Sequence, residues 1–209
     1  MVTTFAPEGT DRKIEPNRSL RWIAFVTIAE ALGFAVATGA AITAILLVPP
    51  GVFSLVLTVL GGAVEGALLG TGQWLAMGAR RPPAHRWIPA TAAGAAVAWT
   101  LGMLPSTLGI DFGAWWVFVL VGLGGIALLA TIPVAQWLTL RRAGTARWIP
   151  VNMASWAIAI LWTFAPSPFI DEHSPIALVA TLYVIAGVLM ALTIATLTAR
   201  TAARLFTTA

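Results

Sequence analysis

Residues 133–150 read PVAQWLTLRRAGTARWIP, and this stretch decides the fold. An apolar run arrives at Gln136-Trp137-Leu138, meets Arg141-Arg142, turns at Ala143-Gly144 and leaves again through Arg147-Trp148-Ile149-Pro150. A proline in the first turn of a helix costs no hydrogen bond, because the N–H it lacks has no helical partner there. Arginine and tryptophan are both at home at the headgroup level of a bilayer. The stretch therefore has the layout of a tight helix-turn-helix corner at a membrane surface. Outward from it in both directions lie apolar runs of the length a bilayer requires, about 20 helical residues for a hydrocarbon core of about 30 Å. The composition agrees: the 209 residues are 59% hydrophobic and 10% charged, against about 25% charged in a soluble domain. A water-soluble fold is excluded.

Six such runs are expected, at 21–48, 52–78, 87–104, 112–140, 148–165 and 175–197, separated by Pro49-Pro50-Gly51, Pro82-Pro83, Pro105, Ala143-Gly144 and Pro166-Ser167-Pro168. The fold class is an all-α integral membrane bundle of three helical hairpins, about 21–80, 86–142 and 147–200. A polar tail over 1–19 precedes the 20–200 domain, and a short tail over 201–209 follows it. Charge placement tests this count independently of hydropathy. Arg12, Lys13, Arg18, Arg21, Arg80, Arg81, Arg86, Arg141, Arg142, Arg147, Arg200 and Arg204 all fall on one side, whereas the alternate loops carry Asp111, Asp171 and Glu172. The positive-inside rule then places both termini in the cytoplasm. Trp22, Trp74, Trp87, Trp137 and Trp148 cluster near the basic ends of the spans, and Trp115 with Trp116 near the other. Trp74, Arg86, Trp87, Trp137, Arg147 and Trp148 are accordingly expected to be lipid and interface anchors, with anionic headgroups as their partners. Nothing in the charge pattern suggests a nucleic-acid partner.

The chain repeats itself. Gly61-Gly62 pairs with Gly124-Gly125, and Gln73-Trp74-Leu75 with Gln136-Trp137-Leu138, at an offset of 63 residues; Arg86-Trp87-Ile88-Pro89 pairs with Arg147-Trp148-Ile149-Pro150 at an offset of 61. Arg21-Trp22-Ile23 opens the first span in the same way. Each unit holds two spans, so successive copies share one orientation, and the pseudo-symmetry axis expected is three-fold and parallel to the membrane normal. The motif Gln-Trp-Leu-x-Leu-Arg-Arg followed by Arg-Trp-Ile-Pro resembles a repeat found in uncharacterised bacterial multi-spanning membrane proteins. That resemblance implies the architecture and a bacterial cytoplasmic membrane, and it implies no activity.

Many chemistries are excluded by missing side chains. The chain has no cysteine, its lysine at position 13 lies in the tail, and its histidines, His85 and His173, fall in loops on opposite sides. Thiolate metal sites, retinal attachment and a paired-histidine haem site are thereby removed. There is no HExxH and no phosphate-binding loop. No cofactor and no metal are expected, and Asp171-Glu172-His173 reads as a solvated loop. No catalytic residue can be assembled, so the chain is not expected to be an enzyme.

Glu30 and Glu65 remain as the ionisable residues deep inside the spans. A charged side chain there costs about 3 kcal/mol on insertion scales, so each is expected to face protein and to have a partner. Thr58, Gly61, Gly62, Gly72 and Gln73 share the helical face of Glu65, and Thr27, Gly33 and Thr38 that of Glu30. Gly62, Gly66 and Gly70 offer a surface for close helix approach. The expected intramembrane polar site is therefore Glu30, Glu65, Thr27, Thr58 and Gln73, in a bundle that binds or passes a small solute, a proton or a cation. The alternative is a non-catalytic accessory or scaffold subunit, in a homo-oligomer or beside a membrane-protein partner, whose glutamates only fix helix order. The orientation is directly testable because the chain lacks cysteine. In intact cells, a membrane-impermeant maleimide is expected to label Ser174→Cys and to leave Ala143→Cys unlabelled.

Overall fold

A computed structural model of the chain describes residues 16–49, 51–110, 113–140, 142–171 and 173–206. These residues form six helices and no strand: α1 Pro16–Leu47, α2 Val52–Ala76, α3 Ala84–Thr107, α4 Trp115–Leu140, α5 Trp148–Ala159 and α6 Ile176–Phe206. A 3-10 turn at Thr145–Arg147 leads into α5, and others at Ile160–Phe164 and Ser167–Phe169 extend it. With those turns counted, all six segments are long and apolar enough to cross a membrane. Each helix packs on its successor, and α6 returns to α1, so the six close into a ring. The loops at 77–83 and 142–147 and the helix termini at Pro16 and Phe206 share one end of the ring, here the basic end. The described residues 48–49, 51, 108–110, 113–114, 165–171 and 173–175 lie at the opposite end, here called the acidic end for Asp171.

The expected breakers set most of the boundaries. Gly144, between α4 and α5, has φ 76°, a left-handed conformation that a residue with a side chain adopts only under strain. Pro105 does not stop α3, which runs two residues beyond it to Thr107. A proline this close to the end removes a single intrahelical bond, and Leu108 N–H and Ile110 N–H still donate to Leu104 O and Pro105 O.

Two extents depart from the expected tails. Residues 16–19 belong to α1, and α6 continues through 201–206. Tertiary burial explains the second. Ala202, Ala203, Leu205 and Phe206 are all buried, so α6 gains apolar contact well beyond its hydropathic run. Residues 1–15 and 207–209 of those tails, with Asp111, Arg141 and Glu172, lie outside the described residues.

Glycine sets how closely α2 lies between its neighbours. A Cβ on Gly72 would stand 2.7 Å from Phe25 O of α1, and one on Gly66 would stand 2.8 Å from Thr91 O and 2.5 Å from Ala95 Cβ of α3. The expected Gly62, Gly66, Gly70 surface is thus where α3 approaches. The first half of α4 is different: Phe118, Leu120 and Leu123 are more than half exposed, and a Cβ on Gly122, Gly124 or Gly125 would meet nothing within 4 Å.

This contrast predicts opposite outcomes for the same substitution. Gly66→Ala forces α2 off α3 and is expected to destabilise by about 1–3 kcal/mol, the usual cost of overpacking. Gly124→Ala is expected to stay within about 0.5 kcal/mol of the parent or to stabilise. Thermal unfolding in dodecylmaltoside reads both.

Candidate functional site

The basic end of the ring is packed with aromatic rings, beside a smaller pocket of about 270 Å³. Trp22, Trp87 and Trp148 open α1, α3 and α5, and their rings meet inside the bundle around Phe206 of α6. Trp22 lies edge-on to Trp148 with centroids 6.0 Å apart, and Phe206 stacks on Trp22 and stands edge-on to both other indoles at 5.7–5.8 Å. Such pairs add about 0.5–1.5 kcal/mol each beyond the area they bury. The three rings are 3%, 0% and 0% exposed.

A buried amide network lies beside the rings. Gln136 Nε2 donates to Gln73 Oε1 at 2.7 Å and to Thr91 Oγ1 at 3.0 Å, and Gln136 Oε1 accepts from Trp148 Nε1 at 2.8 Å. Trp22 Nε1 donates to Thr198 Oγ1 at 3.0 Å. Indoles at the start of α1 and α5 thus bond to α6 and α4, the helices that precede them around the ring. Trp87 Nε1 is buried without a partner, as is Asn152 Oδ1. Gln73, which precedes Trp87, already accepts from Gln136.

Toward the acidic end the ring is hollow. A chamber of about 510 Å³ is lined by residues of all six helices, extending from Glu30, Glu65 and Leu69 to Ile45, Met103 and Thr163. Eight residues after each of Trp22, Trp87 and Trp148 the chain supplies Glu30, Ala95 and Trp156. Twelve residues after, it supplies Phe34, Trp99 and Ile160. All six side chains are on the chamber wall.

Glu30 and Glu65 sit at the inner limit of this chamber. Gly33 places α1 directly on the Glu65 backbone, since a Cβ there would be 2.9 Å from Glu65 Cα. Both acids line the chamber, and the helices that carry them touch at Glu65. Trp99 Nε1 donates to Glu65 Oε2. Glu30 is 0% exposed, and neither of its carboxyl oxygens receives a donor. No lysine, arginine or histidine lines the chamber; among its described lining residues, Glu30, Glu65 and Tyr183 are the titratable ones.

The chamber does not include every residue expected at the polar site. Thr58 is buried on α2 with its hydroxyl donating to Ser54 O, and Gln73 belongs to the amide network below the acids. Thr27 is half-buried, its Oγ1 enclosed without a partner, and it is not on the wall. Two residues that sequence reasoning missed complete the picture. Trp99 is the donor to Glu65, and Gln136 is the centre of the amide network. Both had a signal, because Trp99 follows Trp87 by the interval that separates Phe34 from Trp22, and Gln136 is the repeat partner of Gln73.

The expected anchors divide as well. Trp87 and Trp148 are not at a lipid interface, for the reason already visible in the packing: their rings point inward and close the bundle. Trp22 shares that fate. Arg86 and Arg147 are exposed and Trp137 is half-buried. Trp74 is also half-buried; it donates to Pro82 O at 2.9 Å and carries the Arg81 guanidinium 4.0 Å above its ring. It pins the 77–83 turn. Among the described residues no group of acids and histidines is arranged to hold a metal ion.

Compared with protein families, with curated proteins and with solved structures, the chain finds no match. The inward position of the tryptophans has a direct test. Trp148→Ala empties a fully packed site and is expected to lower stability by about 3–5 kcal/mol, read as the thermal midpoint in detergent. A variant as stable as the parent would return that ring to the lipid.

Proposed function

We propose that this protein is a membrane-embedded binding or permease-type bundle whose site is the Glu30 and Glu65 pair at the closed end of the chamber. The observation that carries this reading is the unmet Glu30 carboxyl. Two acids are held together 0% and 7% exposed, beside a hollow, with no basic side chain on its wall. The buried amides show a purely structural arrangement, since Gln136 donates to both Gln73 and Thr91, and Glu30 differs from the other unpartnered buried groups, Thr27 Oγ1, Trp87 Nε1 and Asn152 Oδ1, in lining the chamber. A polar group that protein leaves without a donor beside an empty volume is arranged for something that arrives.

The repeat belongs to the same proposal. Three hairpins about an axis along the membrane normal account for the meeting of Trp22, Trp87 and Trp148 at one point and for equivalent positions of α1, α3 and α5 all lining one chamber. The acids then represent a specialisation of the first hairpin, since the repeat partner of Glu65 is Leu128, also on the wall. With both termini cytoplasmic in a bacterial inner membrane, the filled end faces the cytoplasm and the chamber faces outward. The arginines of the basic end lie where anionic headgroups would be.

The scaffold reading draws on a different feature, the uncovered first half of α4 with its open glycine face. It requires a membrane partner, or a second copy, against that helix. Native mass spectrometry of gently solubilised protein separates the two readings. A small-molecule adduct retained by the parent and lost from both Glu30→Gln and Glu65→Gln is the expected result; a bound subunit with no adduct in any of the three would transfer the case to the scaffold.

A further inference from the structure

The geometry points to the class of molecule this site takes: a compact organic amine, bound as its cation, with an apolar body that fills the chamber and an ammonium group set between Glu30 and Glu65. The inference rests on the reading that this acid pair is a ligand site, and it commits that site to one chemistry.

The charge of the wall comes first. Among the described residues it carries two carboxyl groups and no basic side chain, so an anion would meet repulsion and a neutral polar solute would leave the two acids without a counter-charge. Donor arithmetic narrows the choice. Both Glu30 oxygens are without a donor, and on Glu65 the indole of Trp99 is hydrogen-bonded to Oε2 alone. An ammonium group brings up to three N–H donors on one centre, which matches three acceptor oxygens on two carboxyls. A proton shared by the pair satisfies a single contact and fills no volume.

An inorganic cation fits less well. Sodium-, calcium- or magnesium-like ions need about six or more oxygen ligands, and apart from the acids, Thr38, Thr163 and Tyr183 the described wall offers no side-chain oxygen, being mostly hydrocarbon such as Leu69, Ala95, Ile132 and Met190. Hydrocarbon cannot complete that shell. An organic cation supplies its own apolar skin, and the same side chains then become favourable contacts. Phe34, Trp99 and Trp156 add aromatic faces or edges to the wall, where a cation is stabilised further. The volume of about 510 Å³ lies within the range of about 300–1,000 Å³ that takes a compact drug-sized molecule.

Three isosteric probes test this on full-length protein in nanodiscs of neutral lipid: 1-aminoadamantane, 1-hydroxyadamantane and adamantane-1-carboxylate. All carry the same rigid cage, so calorimetric titration compares the head groups alone. The amine is expected to bind about tenfold or more tighter than the alcohol, the worth of one charged hydrogen bond, and the carboxylate not at all. Glu30→Gln and Glu65→Gln are each expected to erase the preference for amine over alcohol. The comparison on unmodified protein decides the class even if neither variant folds. Alcohol binding as tightly as amine, with both weakened by the variants, overturns the amine and leaves the acid pair as the site. Binding of the carboxylate at the strength of the amine overturns the amine too. If no probe binds, or if the amine binds the variants as it binds the parent, the amine inference and the acid-pair site fall together.

Discussion

Six helices in hydrocarbon have no hydrophobic effect to draw them together, because lipid tails are as apolar as leucine, so the ring must be closed by packing and by polar contacts. Here that closure is concentrated at one end. Trp22, Trp87 and Trp148 come from three different helices, converge on Phe206 of a fourth, and lie against a network that ties Gln73, Thr91 and Gln136 together. Phe206 belongs to the last turn of the last helix and touches the ring that opens the first. The two ends of the chain are thereby joined in one aromatic cluster, and the ring closes on itself through it.

The hollow at the other end follows from the filled one. Since large rings and amides hold the helices together near their basic ends, little is left to fill the centre further along, and the corresponding positions of α1, α3 and α5 line a chamber instead of a core. The packing of individual helices shows the same division. α2 is clamped between α1 and α3 by glycines that admit no Cβ, whereas the first half of α4 has open space over three glycines. The outer segment of α5 is wound as a 3-10 turn, Ile160–Phe164, that packs on α6.

Glu30 and Glu65 lie at the border of these two regimes. Their energetic position differs from that of the amides below them. Gln73 and Gln136 are members of a network in which acceptors and donors alternate, and burial is offset by the bonds formed. The acids share the chamber wall with one indole as donor and no cation among the described lining residues. A buried acceptor lacking a donor is costly, and this one lines the chamber.

The amino-acid sequence by itself determined the membrane environment, the number of spans and the turns, because these depend on run length, charge and proline placement, which are local properties. It also singled out Glu30 and Glu65, whose cost in hydrocarbon is a property of residue type. Tertiary structure alone decided the direction in which Trp22, Trp87 and Trp148 point. An indole near the start of a span suits lipid and protein equally well, and only the packing of α1, α3 and α5 around Phe206 buries all three rings. For the same reason the length of α6 became legible only once the contact of Phe206 with those rings was seen. The separation of Gln73 from Glu65 is also a tertiary result: the two share a helical face, but the depth at which neighbouring helices supply a partner placed the amide in a buried network and the carboxyl on the chamber wall.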